Sequence, residues 1–216
     1  MEDFNNIVNW ENLYKNSETF KKNKPIKYVL VEQIFERKYY EKLYESYPKF
    51  DKTDKTWTIF SQPARSSKGK YFNNSLYPGS AHDEDDPTLS KEWNKLKRYM
   101  LTDEFTNNVR KYCGLAIKKL KILSFIALHK GDFSLPHIDT YKEYKLNMIF
   151  YFCKNWQKDD PGGTYLSHND DESSIYFEPY NLDNSLICYE PSTRKSWHGT
   201  RYITKDVIRQ AVSLSW

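Results

Sequence analysis

Apolar and polar residues alternate with two different periods along this chain, and the change falls at Gly114. Before it the pattern is mostly helical. The run KYVLV (27–31) predicts a short strand. The segment EQIFERKYYEKLYESYP then sets Phe35, Tyr39, Leu43 and Tyr47 four apart, one stripe of an amphipathic helix that Pro48 ends. Ser90 predicts the cap of a second helix with Trp93, Leu96 and Met100 on one face. A third begins at Thr102, buries Phe105, Val109 and Cys113, and stops at Gly114. Between Pro63 and Pro87 the chain is polar, holds Gly69, Gly79 and the acidic run Asp83-Glu84-Asp85-Asp86, and reads as a long loop.

After Gly114 the period becomes two. Leu120, Ile122, Ile126 and Leu128 fall on one parity, and LNMIFYFC (146–153), TYLS (164–167), SIYFEP (174–179), SLICYEP (185–191) and RQAVSLSW (209–216) follow as further strands. Turn-rich stretches at Asp159–Gly163 and Asn181–Asn184 separate them. Short strands at regular spacing predict a sandwich or barrel. Both parities of LNMIFYFC are apolar, so both faces of that strand should be covered, one of them by the helices. The 216 residues fit a single domain. Its mainly helical support region (1–118) includes a loop (about 58–89) for substrate contacts such as Arg65, Lys68, Lys70, Tyr71 and Tyr77. Residues 119–216 form the β core.

Composition narrows the class. Aromatic residues make up 17% of the chain, too many for a disordered polymer. The mean hydropathy of −0.86 and the absence of a long apolar run argue against a membrane span. The start Met1-Glu2-Asp3 is neither basic nor apolar, so no secretory signal is expected. Cys113, Cys153 and Cys188 are sparse and lack CxxC spacing, which points to a reducing cytoplasm and to buried thiols. A net charge of +4, spread along the chain, does not call for a nucleic-acid partner.

The candidate chemistry lies in three places. His137 and Asp139, two apart in an extended segment, point to the same side and can converge on one atom. His198, just before the last strand, supplies a second imidazole. Two His and one carboxylate form the facial set that suits non-haem Fe(II) and leaves coordination positions open. Arg209 and Ser213 share one face of the final strand, while Val212, Leu214 and Trp216 point the other way to pack. A guanidinium on the inner face of a closed sandwich is costly unless an anion meets it. His129 and His168 have no ligand partner at useful spacing, and His82 lies in the polar loop.

Together these residues resemble the Fe(II)- and 2-oxoglutarate-dependent dioxygenases, nearest to the prolyl-4-hydroxylase-like branch. The frame HxD, distant His, Arg on the last strand is present as His137, Asp139, His198 and Arg209. Gly131-Asp132-Phe133 precedes the HxD, and IFYFCKNW (149–156) leads into Pro161-Gly162-Gly163-Thr164-Tyr165-Leu166, as in that family. The likeness covers about residues 120–216. It implies a double-stranded β-helix (jelly-roll, cupin-like) core behind N-terminal helices, an α+β arrangement that is mainly β. It also implies that His137, Asp139 and His198 hold Fe(II), and that Arg209 and Ser213 bind the far carboxylate of 2-oxoglutarate. Tyr151 would reach the same carboxylate, with Asn147 and Cys153 on its parity. O2 is the second co-substrate, and the products are succinate, CO2 and a hydroxylated carbon.

Two positions depart from the family. Leu128 stands where a tyrosine is common, and the interval from His198 to Arg209 is long, implying an enlarged turn through 203–206. Retention of Asp139 favours hydroxylation over halogenation. A small-molecule substrate is favoured because no separate peptide-docking region is evident, with a prolyl or other protein side chain as the alternative. A zinc hydrolase on the same triad would leave Arg209 and Ser213 without a role. A carbohydrate-binding jelly roll would use the aromatics but not the HxD…H…R frame.

Overall fold

In the computed structural model, residues 3–49, 58–63, 70–77, 85–139, 144–191 and 193–216 are described. Five helices precede the period change: α1 (Trp10–Lys15), α2 (Ser17–Lys22), α3 (Arg37–Glu45), α4 (Lys91–Met100) and α5 (Asp103–Cys113). Side-chain oxygens start α4 and α5 where the sequence predicts. Ser90 Oγ accepts from Trp93 N (3.2 Å) and Thr102 Oγ1 from Phe105 N (3.1 Å), each satisfying an orphan N–H of the first turn. α5 ends on Gly114 at φ +68°, the left-handed conformation that glycine adopts without Cβ strain.

The stripe of α3 differs from expectation. Phe35 lies before the helix, in a bridge to Val8, and the helix begins only at Arg37. Phe35, Leu43 and Tyr47 are buried as the spacing expects, although the first and last lie outside the helix; Tyr39 is only partly buried and Tyr40 joins Leu43 in the core.

The strands are β1 (Tyr28–Glu32), β2 (Thr58–Pro63), β3 (Lys70–Tyr77), β4 (Ile122–Leu128), β5 (Phe133–His137), β6 (Asn147–Phe152), β7 (Thr164–Ser167), β8 (Ile175–Phe177), β9 (Asp183–Tyr189), β10 (Trp197–Thr200) and β11 (Arg209–Ser215). Their order is β1-β9-β6-β11-β4-β3-β5-β10-β7-β8, with β2 on β3, and all pairings are antiparallel. β1-β9-β6-β11-β4 form one wall and β5-β10-β7-β8 the other, with β3 passing between them. This is the jelly-roll core.

Part of the stretch expected to be a loop is strand. Segments 58–63 and 70–77 form a hairpin that continues into β4 and β5. Backbone groups satisfy such a ladder whatever the side-chain polarity, so a polar composition did not disclose it. Lys70, Tyr71 and Tyr77 fall on β3, while Arg65, Lys68 and His82 lie outside the described residues.

The major wall is two-faced. Leu123, Phe125, Met148, Phe150, Phe152, Leu186, Val212 and Leu214 share a buried cluster with Trp93, Leu96, Phe105 and Val109 of the helices. Trp93 meets Phe125 and Phe152 at centroid distances of 4.8 and 4.9 Å. Each such side chain contributes roughly 1.5–3 kcal/mol by leaving water. The opposite face looks into the sandwich, and every residue of β6 is buried, as its apolar parities require. The phenol of Tyr47, just past α3, reaches the backbone of two strands: it donates to Ala211 O (2.7 Å) and lies 3.0 Å from Ile126 O, while Ile126 N donates to it (3.2 Å). No helix among the described residues is long and apolar enough to cross a membrane.

Candidate metal centre and co-substrate cavity

β5 ends at His137, and Asp139 lies two residues beyond, past the paired ladder. His198 of β10 stands opposite His137 in register, and cross-strand neighbours share a face. The two rings meet with centroids 4.4 Å apart. β10 packs this closely because residue 199 is glycine. A Cβ there would lie 2.3 Å from both the Ser134 carbonyl oxygen and the Tyr165 hydroxyl.

Each imidazole is oriented by its own chain. His137 Nδ1 bonds Leu135 O (2.8 Å) and His198 Nδ1 bonds Ser196 O (2.9 Å). A carbonyl only accepts, so each Nδ1 carries a proton, and the lone pair of the neutral ring is then on Nε2. Oδ1 of Asp139 lies 4.0 Å from His137 Nε2 and 3.7 Å from His198 Nε2, and one ligand atom from each residue lies within 4.8 Å of the others. Two neutral nitrogens and one carboxylate oxygen on one side of a shared point fit a ferrous ion with open positions opposite.

Asn147, the first residue of β6, is buried beside the triad. Its Nδ2 donates to Asp139 Oδ2 (3.0 Å) and to the Tyr189 hydroxyl (3.1 Å). Its Oδ1 is sealed from solvent without a hydrogen-bond partner, a loss of about 1–3 kcal/mol. Burial, reinforced by the Asp139 carboxylate, pushes the Tyr189 phenol well above its usual pKa, so it stays protonated.

Arg209 opens β11 and is 2% exposed. Nε donates to Gly162 O (3.0 Å), Nη2 to Thr164 Oγ1 (3.3 Å), and the guanidinium carbon lies 4.8 Å from the centre of the Tyr151 ring. No carboxylate pairs with it among the described residues. A guanidinium has five N–H groups, so two bonds leave three for a ligand. The Gly162-Gly163 turn supplies this seat: the Gly162 carbonyl faces Arg209, and a Cβ on Gly163 would stand 2.1 Å from the Pro179 carbonyl oxygen.

His137, Asp139, His198, Arg209 and Ser213 all line one cavity of about 300 Å³, together with Asn147, Thr164, Tyr189 and the apolar wall of Ile126, Leu128 and Ile149. Tyr151 and Cys153 share the parity of Asn147 but do not line it. The Tyr151 hydroxyl accepts from Thr164 N (2.9 Å), and Cys153 Sγ contacts the backbone of Gln210. Both sit next to the guanidinium. Leu128, in place of the anticipated tyrosine, forms part of the wall. His129 bonds Asp132 and His168 packs at a tilt against Tyr176, away from the triad. Thr164 and Tyr189 escaped the sequence reading, because a threonine after a Gly-Gly turn and one tyrosine among 18 carry no mark of their own.

No protein-family model matches this chain, and no curated protein matches it. Similarity appears in solved structures. A prolyl-4-hydroxylase of Pseudomonas putida aligns over 95% of this chain and 96% of its own, with a TM-score of 0.62 and 11% identity. A Trichoplax adhaerens prolyl hydroxylase in complex with a hypoxia inducible factor peptide aligns over 95% and 87%, with a TM-score of 0.57 and 14% identity. HygX of Streptomyces hygroscopicus, solved with nickel and 2-oxoglutarate and also with hygromycin B, aligns over 95% and 85%, with a TM-score of 0.56 and 12% identity. The chain has the fold of these proteins.

Proposed function

We propose that this protein is an Fe(II)- and 2-oxoglutarate-dependent dioxygenase that hydroxylates an unactivated carbon, releasing succinate and CO2. The observation that carries the reading is the shared cavity. Three candidate ligand groups open onto the same space as a buried guanidinium that pairs with no carboxylate among the described residues. His137, Asp139 and His198 would hold Fe(II), which when bound supplies the oxidising chemistry with O2. Arg209 would grip the distal carboxylate of 2-oxoglutarate through its free N–H groups, with Ser213 adding a hydrogen bond. Ile126, Leu128 and Ile149 would keep water away from the co-substrate and so strengthen that charge pair.

A small metabolite resembling an amino acid or sugar is the favoured substrate. The cavity stands at the lower end of small-molecule pockets, roughly 300–1,000 Å³, and HygX, similar in fold, was solved with hygromycin B. A prolyl or other side chain of a protein is the second reading, supported by the two prolyl hydroxylases of the same fold.

Anaerobic addition of Fe(II) and 2-oxoglutarate is expected to give a weak visible charge-transfer band, which His137→Ala and His198→Ala abolish. Absence of the band in the wild type, with no co-substrate binding by calorimetry, would reject the assignment. Succinate formation across metabolite and peptide libraries then separates the two substrate classes.

A further inference from the structure

Among the described residues, Asp139 receives one hydrogen bond, from Asn147. The aspartate lies beyond the end of β5, so no ladder holds its backbone. Asn147 is held on both sides, paired with Tyr189 of β9 and with Ser215 of β11. Its amide can face a carboxylate only through the NH2 group, since the flipped amide would set two acceptor oxygens together. That orientation leaves Oδ1 buried and unpaired. A leucine would fill the same space without the loss, so packing does not account for an asparagine here. Its NH2 group does, being the one part of the side chain with partners.

On the reading that the triad holds the metal, we infer that Asn147 is a positioning residue, braced by Tyr189. It occupies Oδ2 of Asp139 and presents Oδ1 alone to the two Nε2 atoms. Asp139 then binds through one oxygen, and the positions a chelating carboxylate would take stay open for co-substrate and oxygen. Oxygens that coordinate a metal need such outer partners to hold their direction.

Co(II), whose visible spectrum reports coordination, is the probe, titrated anaerobically into wild type, Asn147→Leu, Asn147→Asp and Asn147→Thr, with circular dichroism checking the fold. Asn147→Leu is expected to weaken Co(II) binding roughly 10–100-fold and to change the intensity and shape of the Co(II) bands. Weaker 2-oxoglutarate binding should accompany this. Asn147→Thr, which keeps a donor on a side chain suited to a strand, is expected to restore most of the affinity and the wild-type spectrum. Asn147→Asp, similar in shape, sets two carboxylates against each other and should change the spectrum as well. Wild-type affinity and spectrum in a folded Asn147→Leu would overturn the inference; should that variant not fold, the same result in Asn147→Asp would do so. A wild type that binds no Co(II) would instead remove the reading of the triad.

Discussion

A guanidinium taken out of water is tolerated when its N–H groups find acceptors and its face finds a π surface. Arg209 has a carbonyl, a hydroxyl and the Tyr151 ring, and three N–H groups to spare. Arg209→Lys keeps the charge but loses the planar fork and the stacking. Calorimetry should show 2-oxoglutarate binding at least about 10-fold weaker, the worth of one charge-assisted hydrogen bond. Metal affinity should stay near wild type, because no triad atom contacts the guanidinium. The inward placement of Arg209 was legible in the sequence, since alternation along RQAVSLSW turns it inward together with Ser213. Parity was a poorer guide on β6. Residues 147, 151 and 153 share a direction, but only Asn147 stands where the sandwich opens into the cavity. Tyr151 lies deeper and spends its hydroxyl on the Thr164 backbone.

At the level of elements, the helices with a capping residue and a terminal glycine were readable, and so were the strands with strong alternation. β5 and β10 were not, although they carry both histidines. FSLPH contains a proline, and WHGT is four residues long with a glycine, so neither has strand-like patterning. Their pairing comes from register across the fold. The long turn between β10 and β11 is likewise held by distant partners. Ile203 exchanges backbone hydrogen bonds with Gly131 and Asp132, and Lys205 Nζ reaches Asp160 (2.6 Å) and Asn155 O (2.8 Å). The Lys205 ammonium and the Gln157 backbone N–H hold the Asp160 carboxyl below its usual pKa. With the folded value depressed, the stabilisation is present above the unfolded value of about 3.9. It is lost as pH falls through the lower folded value. Asp160→Asn should therefore cost under about 1 kcal/mol at neutral pH. In denaturant titrations its deficit should close in acid, and a deficit independent of pH would contradict this.

Across the whole molecule, the three thiols sit in two buried clusters: Cys113 of α5 and the helix-facing Cys188 of β9 share one, and Cys153, near Arg209, belongs to the other. All are buried, and burial raises each pKa, that of Cys153 to about 11 despite Arg209 nearby. Iodoacetamide at pH 8 is expected to modify none of them in the native protein and all three in denaturant, by mass spectrometry. Rapid native labelling of any one would mark a region that opens locally. Helices and sheet share a core that the sequence announced through its apolar parities. The curl that brings β5 and β10 over β4 and β11 depends on pairings distant in sequence, for which one-dimensional patterning has no signal.

The phenol of Tyr47 joins these layers at the level of Ala211, two residues from Arg209. Cutting the gene at Gly114 to express the C-terminal half alone would retain His137, Asp139, His198 and the arginine. It would also strip an interior carbonyl and an interior amide of their hydroxyl partner and lay bare the oily back of the major wall. A minimal fragment for crystallisation or engineering therefore has to begin upstream of the first helices, not at the first strand of the half that carries the triad.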